Sequence, residues 1–363
     1  MTDKILKKEE KVIFALRELY SKYGYLPYRM SKFEEYELYI RNKEFMVSDR
    51  VIAFNDTNGK LLALKPDVTL SIIKSGEDLE GVTQKVYYNE NVYRVSKSTH
   101  RYKEIMQAGL ECIGDIDLYD IYEVILLGVL SLAQISENFV LCISHLGIIG
   151  SVIGEICPDT DFIKQAISLI SQKNTHDLRK LCIEYNIPNE AYEKLCVLLR
   201  AYGKADKVLP LLKSVSDCKE TKELEKLSAL LEKCEYADKI LFDFSLADDI
   251  NYYNGFIFKG FIDGISAEVL SGGQYDKMMR KMNRSSGALG FALYLDMLEQ
   301  LNLPYAGYDV DYLLLHDDSV PFETVAGKVK ELVEKGFTCS TQRGIPEKLK
   351  YKEIIDLRGG RDA

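Results

Sequence analysis

The sequence has no C-x-x-C pair and only four histidines in its 363 residues. Its eight cysteines stand singly, the first at Cys112 and the last at Cys339. Structural zinc sites need clustered cysteine or histidine ligands, and disulfide frameworks need paired cysteines in an oxidising compartment. We therefore expect no metal site and no disulfide framework, and the scattered thiols favour a cytoplasmic protein.

Long apolar runs and an excess of basic residues are also missing. No stretch of about 18 apolar residues is present, so no membrane-spanning helix is expected. Glu9 and Glu10 precede the first apolar positions, which argues against a signal peptide. With 47 basic and 56 acidic residues, the net charge of −9 gives no general attraction to nucleic acid, although a local basic patch is compatible with it.

The remaining composition is that of an ordinary globular protein. Hydrophobic residues make up 47% and charged residues 28%, and the length allows two or three domains with a substantial core. Residues 7–23 carry apolar side chains at helical spacing, and Gly24 predicts the end of that helix. Residues 118–135 show the pattern of a long buried helix.

Residues 86–114 predict two extended segments joined by a polar, basic loop. Gln107, Gly109 and Glu111 lie at even spacing in the second segment, so a strand would place them on one face and form the floor of a pocket. Arg94 in the first segment and Arg101 at the loop exit suit a carboxylate or phosphate. The alternative is an ordinary solvated hairpin face.

A second candidate lies where a hairpin signal, Asn58-Gly59, leads through a strand to Pro66 and a helical pattern. Asp67 and Thr69 occupy this junction of strand and helix. Their carboxylate and hydroxyl could receive an ammonium group, or they could simply cap the helix.

Tyrosines and glycines near residue 260 form a third candidate. Consecutive strand residues point to opposite faces, so we expect only one of Tyr252 and Tyr253 to line a pocket; packing within the sheet is the alternative. Tyrosine suits a ring ligand that also needs a hydrogen bond. Gly272 and Gly273 would allow the backbone to approach a ligand closely, or would form a turn.

Two other regions have distinct patterns. Residues 161–237 carry helical periodicity with charged faces, which predicts a helical insertion between the halves of a sheet domain. Residues beyond Pro304 predict strand, helix, strand and a short final helix. His145, at the end of a predicted strand, is interpreted as a core or capping residue.

These motifs resemble those of class II aminoacyl-tRNA synthetases, most closely the histidyl enzymes, over roughly residues 8–300. RYKEIMQAGLE resembles motif 2, KPDVT resembles the RPExT junction that receives the amino group of the amino acid, and GALGFALYLDMLEQL resembles motif 3. The resemblance implies an α+β fold: an antiparallel sheet flanked by helices over residues 1–303, with a helical insertion at about 160–238. Residues 304–363 would form a partial, anticodon-binding-like α/β segment.

Departures from the family pattern fall on the nucleotide side. Asp248 stands where RGLDYY has its catalytic arginine, and Met297 stands where an arginine follows the motif 3 pattern GFAxGxE. The motif 2 arginine, two residues before a glutamate in the family, is followed here by Val95 and Ser96. A carboxylate at Asp248 would repel the phosphate that catalysis must brace. We therefore expect no catalytic residues, no cofactor and no aminoacylation.

The retained amino-acid side and altered nucleotide side resemble the regulatory subunit of ATP phosphoribosyltransferase. That resemblance implies a non-catalytic protein that assembles with the short-form catalytic subunit for the first step of histidine biosynthesis. It implies allosteric feedback by histidine, a homodimer within a hetero-oligomer, and no tRNA or membrane partner.

The resemblance also implies roles for individual residues. The ammonium of histidine would lie at Asp67, Thr69 and Gln107, the imidazole at Glu111 and Tyr253, and the carboxylate at Arg94. Tyr252 belongs to the same predicted site, and Gly272 and Gly273 would supply backbone. A divergent active histidyl-tRNA synthetase and a synthetase-like scaffold that binds another amino acid remain alternatives.

Overall fold

Helices and strands are described by a computed structural model over residues 8–43, 51–76, 78, 80–95, 100–247, 252–301 and 308–358. The described residues within Lys7–Gln300 form one compact unit, and those within Leu301–Ala363 form another. No helix among these residues is long and apolar enough to cross a membrane.

The larger unit contains helices and strands throughout its length. Its described helices are α1 (Lys8–Lys22), α2 (Tyr36–Arg41), α3 (Thr69–Ser75), α4 (Leu118–Ala133), α5 (Leu146–Ile156), α6 (Thr160–Ser171), α7 (Thr175–Glu184), α8 (Asn189–Arg200), α9 (Ala205–Lys213), α10 (Lys219–Leu231) and α11 (Asp276–Lys281). Its described strands are β1 (Leu26–Pro27), β2 (Phe33–Glu35), β3 (Ala53–Asn55), β4 (Leu61–Leu64), β5 (Thr83–Val95), β6 (Tyr102–Gly114), β7 (Phe139–His145), β8 (Tyr202–Gly203), β9 (Ile240–Asp243), β10 (Phe256–Ile262), β11 (Leu270–Gln274) and β12 (Gly287–Tyr294). Short 3₁₀ helices cover Ala237–Lys239 and Leu295–Gln300.

A large sheet organises this unit. Among the described strands, nine form it in the order β1-β5-β6-β12-β11-β10-β7-β9-β8. Neighbours are antiparallel except for β1 with β5 and β7 with β9, which are parallel. The long hairpin of β5 and β6 confirms the prediction for residues 86–114. The architecture is therefore the predicted α+β type, with a mainly antiparallel sheet flanked by helices.

The central strands are buried on both faces. On one face, α1 and α4 cover the sheet; the Tyr20 hydroxyl lies 2.9 Å from Ser131 Oγ, and the Tyr20 ring packs against Phe291. On the other face, Leu70 and Ile72 of α3 belong to a buried cluster with apolar residues of β5. As a result, β6 is buried continuously from Gln107 to Gly114. Polar side chains on its second face are thus held away from water.

Several local predictions are confirmed. Helix α1 ends at Lys22, and Gly24 follows it with a φ of +82°, which favours glycine. Gly59 has a φ of +79° in the turn between β3 and β4, as the Asn-Gly signal predicts. His145 caps α5, because its Nδ1 accepts a hydrogen bond from the backbone N–H of Ile148 at 3.3 Å. Burial lowers the pKa of His145 to about 4, so the ring caps the helix as neutral imidazole.

Helices α6 to α10 lie in the chain between β7 and β9, which are adjacent parallel strands. Each buries an apolar stripe and exposes charged residues, which confirms the predicted helical insertion. The fully buried residues of these stripes include Phe162, Leu178, Leu195 and Leu224.

The smaller unit contains β13 (Val310–Leu315), α12 (Phe322–Glu334), β14 (Cys339–Gln342) and β15 (Tyr351–Asp356). Its described strands form a parallel sheet in the order β14-β13-β15. The predicted final helix is wrong: residues 351–356 form β15. The reason is tertiary, because pairing with β13 satisfies the backbone of a segment too short to form a stable helix alone.

Candidate functional site

The candidate site lies on the sheet face that α3 covers. In β6, Gln107, Gly109 and Glu111 point to this face, as predicted. Register gives three rows across β5, β6 and β12, because directly paired residues share a face. The rows are Val86–Glu111–Gly290, Tyr88–Gly109–Ala292 and Glu90–Gln107–Tyr294.

Glu111 is the most deeply buried acid of this face, with 2% of its surface exposed. Thr69 Oγ1 donates a hydrogen bond to Glu111 Oε1 at 2.7 Å, and the Tyr275 hydroxyl donates to Oε2. Burial raises the pKa of Glu111 to about 8, although these two hydrogen bonds oppose the shift. Gly290 is required opposite it, since a Cβ there would lie 1.9 Å from Glu111 Oε2.

Asp67 approaches from the start of α3. Its Oδ1 accepts a hydrogen bond from the backbone N–H of Leu70 at 3.1 Å, so it satisfies a free helix donor, as the capping alternative predicts. Burial raises the pKa of Asp67, and the charge of Arg94 opposes that shift. Arg94 Nε donates to the Pro66 carbonyl at 2.8 Å. The junction therefore brings Asp67, Thr69 and Arg94 together near Glu111.

A buried ion pair lies beside Gln107, at one end of the site. Lys65 is 1% exposed and its Nζ donates to Glu90 Oε2. Glu90 stands directly opposite Gln107, which is also buried. A lysine this deeply buried needs such a partner, because an unpaired buried charge is costly.

Tyr252 and Tyr253 both join the site. Their rings meet at 4.7 Å, edge to face, and the Tyr252 ring also meets that of Tyr275 at 6.2 Å. Burial raises the pKa of Tyr252, and the charge of Asp67 adds to the shift. The premise that these two residues belong to a strand is wrong, because both precede β10 and lie in a turn where strand alternation does not apply. Which of them lines a ligand pocket stays a prediction.

Gln274 fixes that turn. Its carbonyl accepts from Asn254 N at 2.9 Å, and its side-chain Oε1 accepts from Phe256 N at 2.8 Å. The side chain lies where a Cβ on Gly255 would be, at 2.0 Å from Oε1. The hydrogen bonds to Gln274 therefore hold the turn that carries Tyr252 and Tyr253.

The adjacent glycines of β11 point to opposite faces. Gly273 lies beside Tyr253, whose Cδ1 would be 2.8 Å from an added Cβ. Gly272 instead lies against Phe258 and Phe291, on the face that α1 and α4 cover. Of this pair, the structure places Gly273 on the candidate face.

Two tyrosines of the site were missed in the sequence. Tyr88 is 3% exposed, and its hydroxyl lies 2.5 Å from where a Cβ of Gly109 would be. Tyr275 is 1% exposed and bonds to Glu111. Period-2 alternation along β5 could have placed Tyr88 on the pocket face, but nothing local to Tyr275 links it to a residue 164 positions away.

The remaining predicted positions lie apart or cannot be placed. Asp248 and Ser96 lie outside the described residues. Met297 is in the 3₁₀ helix that follows β12, and its Sδ accepts from Gln300 Nε2 at 3.3 Å. Arg101 is exposed. Within the part of the chain that the structure describes, no group of three or more His, Cys, Asp or Glu side chains could hold a metal ion.

The sheet order and the flanking helices define the class II aminoacyl-tRNA synthetase fold. A solved ATP phosphoribosyltransferase regulatory subunit/histidyl-tRNA synthetase from Bacillus halodurans C has a TM-score of 0.80 to this chain at 22% identity, covering 97% of this chain and 94% of that one. A family model described as histidyl-tRNA synthetase matches residues 2–298. The chain belongs to the histidyl-tRNA synthetase family.

Relatives within this family carry a narrower name. Proteins named ATP phosphoribosyltransferase regulatory subunit are 26% identical in Clostridium kluyveri, covering 92% of this chain and 88% of the relative, and 29% identical in Caldanaerobacter subterraneus subsp. tengcongensis, covering 77% and 75%. The fold is also shared with a chain of the ATP phosphoribosyl transferase (HisG:HisZ) complex from Thermotoga maritima. That match has a TM-score of 0.64 at 22% identity, over 80% of this chain and 97% of that one.

Proposed function

We propose that this chain is a non-catalytic regulatory subunit of ATP phosphoribosyltransferase and that it binds histidine at the site around Glu111. The short-form catalytic subunit would be its partner, and histidine bound here would inhibit the first step of histidine biosynthesis. The observation that carries the proposal is a buried carboxyl, Glu111, held by Thr69 and Tyr275 beside a second acid, Asp67. The names of the relatives support the partner.

The chemistry of the site suits a small cation with an aromatic ring. Asp67 supplies a carboxylate and Glu111 a second buried carboxyl, while Tyr88, Tyr252 and Tyr253 supply flat faces and hydroxyls. Glu111 has a pKa of about 8, so it carries a proton in the empty site at neutral pH and can share it with an imidazole nitrogen. The ammonium of the ligand would then lie at Asp67, Thr69 and Gln107.

Cations on the candidate face favour regulation over adenylate chemistry. Lys65 pairs with Glu90, and Arg94 is close to Asp67 and donates to the Pro66 carbonyl. Stabilising the charge that develops on phosphorus needs cations aimed at phosphate. In our proposal Arg94 instead meets the carboxylate of the bound amino acid.

Reconstitution tests the proposal. The purified chain is combined with the short-form catalytic subunit of the same organism, and formation of phosphoribosyl-ATP is followed as L-histidine is added. We expect activity to require both proteins and to fall roughly 5- to 150-fold with histidine, the range of typical allosteric coupling. A catalytic subunit that is equally active alone and insensitive to histidine in the complex would contradict the proposal.

The family match also favours a second candidate, an active histidyl-tRNA synthetase. Histidine-dependent exchange of pyrophosphate into ATP separates the two functions. Exchange at an enzyme-like rate by the purified chain would establish the synthetase, whereas its absence together with restored phosphoribosyl transfer would support the regulatory subunit.

A further inference from the structure

Site-facing side chains grow in size along β12. The face carries Gly290 opposite Glu111, then Ala292 opposite Gly109, then Tyr294 opposite Gln107. On β12 a glycine thus makes room for the buried carboxyl of Glu111, and a phenol ring stands two rows away. About 14 Å separates the Cα atoms of Glu111 and Gln107 in an extended strand, which accommodates one amino acid with the side chains that hold it.

Tyr294 turns toward the site and not away from it. The pKa of Tyr88 is raised by burial first, then by the charges of Glu111 and Asp67, and the Tyr294 hydroxyl adds to the shift. Register also places Tyr294 on the site face, in the row of Gln107, and the Tyr88 hydroxyl lies over Gly109. Together the two phenols border the floor between Gly109 and Gln107.

The third row carries a large side chain on each of its three strands. Glu90, Gln107 and Tyr294 follow one another across β5, β6 and β12, and Lys65 pairs with Glu90. In the proposed binding mode the imidazole lies at Glu111 and the ammonium at Gln107, so the ligand ends at this row. A group attached to its carboxylate on the β12 side would meet the ring of Tyr294.

Charge on this face also disfavours a phosphate. Of its described cations, Lys65 and Arg94 lie near Glu90 and Asp67, and Lys259 lies 4.0 Å from Glu268. Lys103, which pairs in register with Arg94, interacts with Asp296. Lys259 belongs to the candidate face because it shares a row with Ser271, Ala292 and Gly109. A phosphate would compete with these carboxylates for each cation.

We propose that Tyr294 is a specificity-determining residue that closes the site at its Gln107 end, so that the site accepts a free amino acid and rejects one extended by a nucleotide. This inference rests on the proposed binding of histidine. The ligand class is therefore a free α-amino acid. The bulk of Tyr294 excludes an aminoacyl-adenylate, the intermediate of amino-acid activation.

Calorimetry with two ligands tests this role. L-histidine and 5′-O-[N-(L-histidyl)sulfamoyl]adenosine, a stable analogue of histidyl-adenylate, are titrated into the full chain and into Tyr294→Ala, Tyr294→Thr and Tyr294→Phe. We expect the wild type to bind histidine about 100-fold more tightly than the analogue. Shortening residue 294 should reduce that ratio at least about tenfold with little change in histidine affinity, while Tyr294→Phe keeps the ratio.

The outcomes separate the two proposals. If the wild type binds histidine and the analogue with similar affinity, Tyr294 does not close the site, although histidine binding stands. If the wild type discriminates but both short variants discriminate equally well, another group excludes the nucleotide. If histidine itself does not bind, the proposed function fails and this inference with it. Tyr294→Thr keeps a strand-forming side chain, so the test does not depend on the alanine variant folding.

Discussion

Burial and hydrogen bonding shift the pKa of the Glu111 carboxyl in opposite directions. Removal from water disfavours its ionised form, while Thr69 and Tyr275 favour it. Burial dominates, so the empty site holds a proton at neutral pH. A bound cation would reverse that balance, which links ligand binding to the charge of a single residue.

Stability should therefore depend on pH through Glu111. Its folded pKa of about 8 lies above the ordinary value, so the stabilisation is present at low pH and is lost as pH rises through 8. Between pH 6.5 and 8.5 we expect the free energy of unfolding to fall by about 2 kcal/mol from this group. Urea unfolding of the wild type and Glu111→Gln measures this difference.

The chosen pH range isolates Glu111 from His145, whose pKa of about 4 affects stability only below the ordinary histidine range. Glu111→Gln should show a flatter dependence. Glu104→Gln serves as the control, because Glu104 is exposed and seven residues away on the opposite face of β6. Parallel pH profiles for the wild type and Glu111→Gln would show that Glu111 does not carry the proton.

At the scale of elements, the turn before β10 matters as much as the strands. Gln274 receives two backbone hydrogen bonds from the turn, and its side chain occupies the space beside Gly255. The position of Tyr252 and Tyr253 is thus decided by packing between two segments of the chain.

Gly255→Ala should weaken histidine binding without unfolding the protein. The new methyl would overlap Gln274 Oε1, so this side chain must shift and give up its hydrogen bond to the backbone N–H of Phe256, which holds the turn of the tyrosines. We expect at least about a tenfold loss of affinity, with a stability cost of about 1–3 kcal/mol, as is typical of overpacking. Calorimetry and thermal unfolding measure the two effects.

Gly150→Ala is the matched control, because Gly150 lies within α5 with no atom within 4 Å of an added Cβ. That variant should gain about 0.5–1 kcal/mol, the usual advantage of alanine over glycine in a helix, and keep its affinity. Equal affinity of Gly255→Ala and wild type would exclude the turn from the site.

Local sequence signals predict some of these elements correctly, while contacts between distant segments cannot be predicted from them. Period-2 spacing placed Gln107, Gly109 and Glu111 on one face, and Asn58-Gly59 predicted its hairpin, because these signals are local. Tyr275 could not be found this way, since only the folded sheet brings it to Glu111. The error at residues 351–356 has the same origin: pairing with β13 decides the structure of a segment whose local pattern is ambiguous.

At the scale of the whole molecule, the family model and the names of the relatives indicate different functions. The chain has the fold of a synthetase, while the relatives named above are regulatory subunits. In our proposal an amino-acid site is retained on the sheet, and its extension toward a nucleotide is closed. The proposal depends on Tyr294, on the Lys65–Glu90 ion pair and on Arg94 near Asp67.

The most direct test is isothermal titration calorimetry of L-histidine into the purified chain, into Glu111→Gln and into the opposite-face control Glu104→Gln. The account predicts saturable binding of one histidine per site by the wild type and the control, and at least about a tenfold weaker binding by Glu111→Gln. Equal binding by all three proteins, or no binding by the wild type, would contradict it.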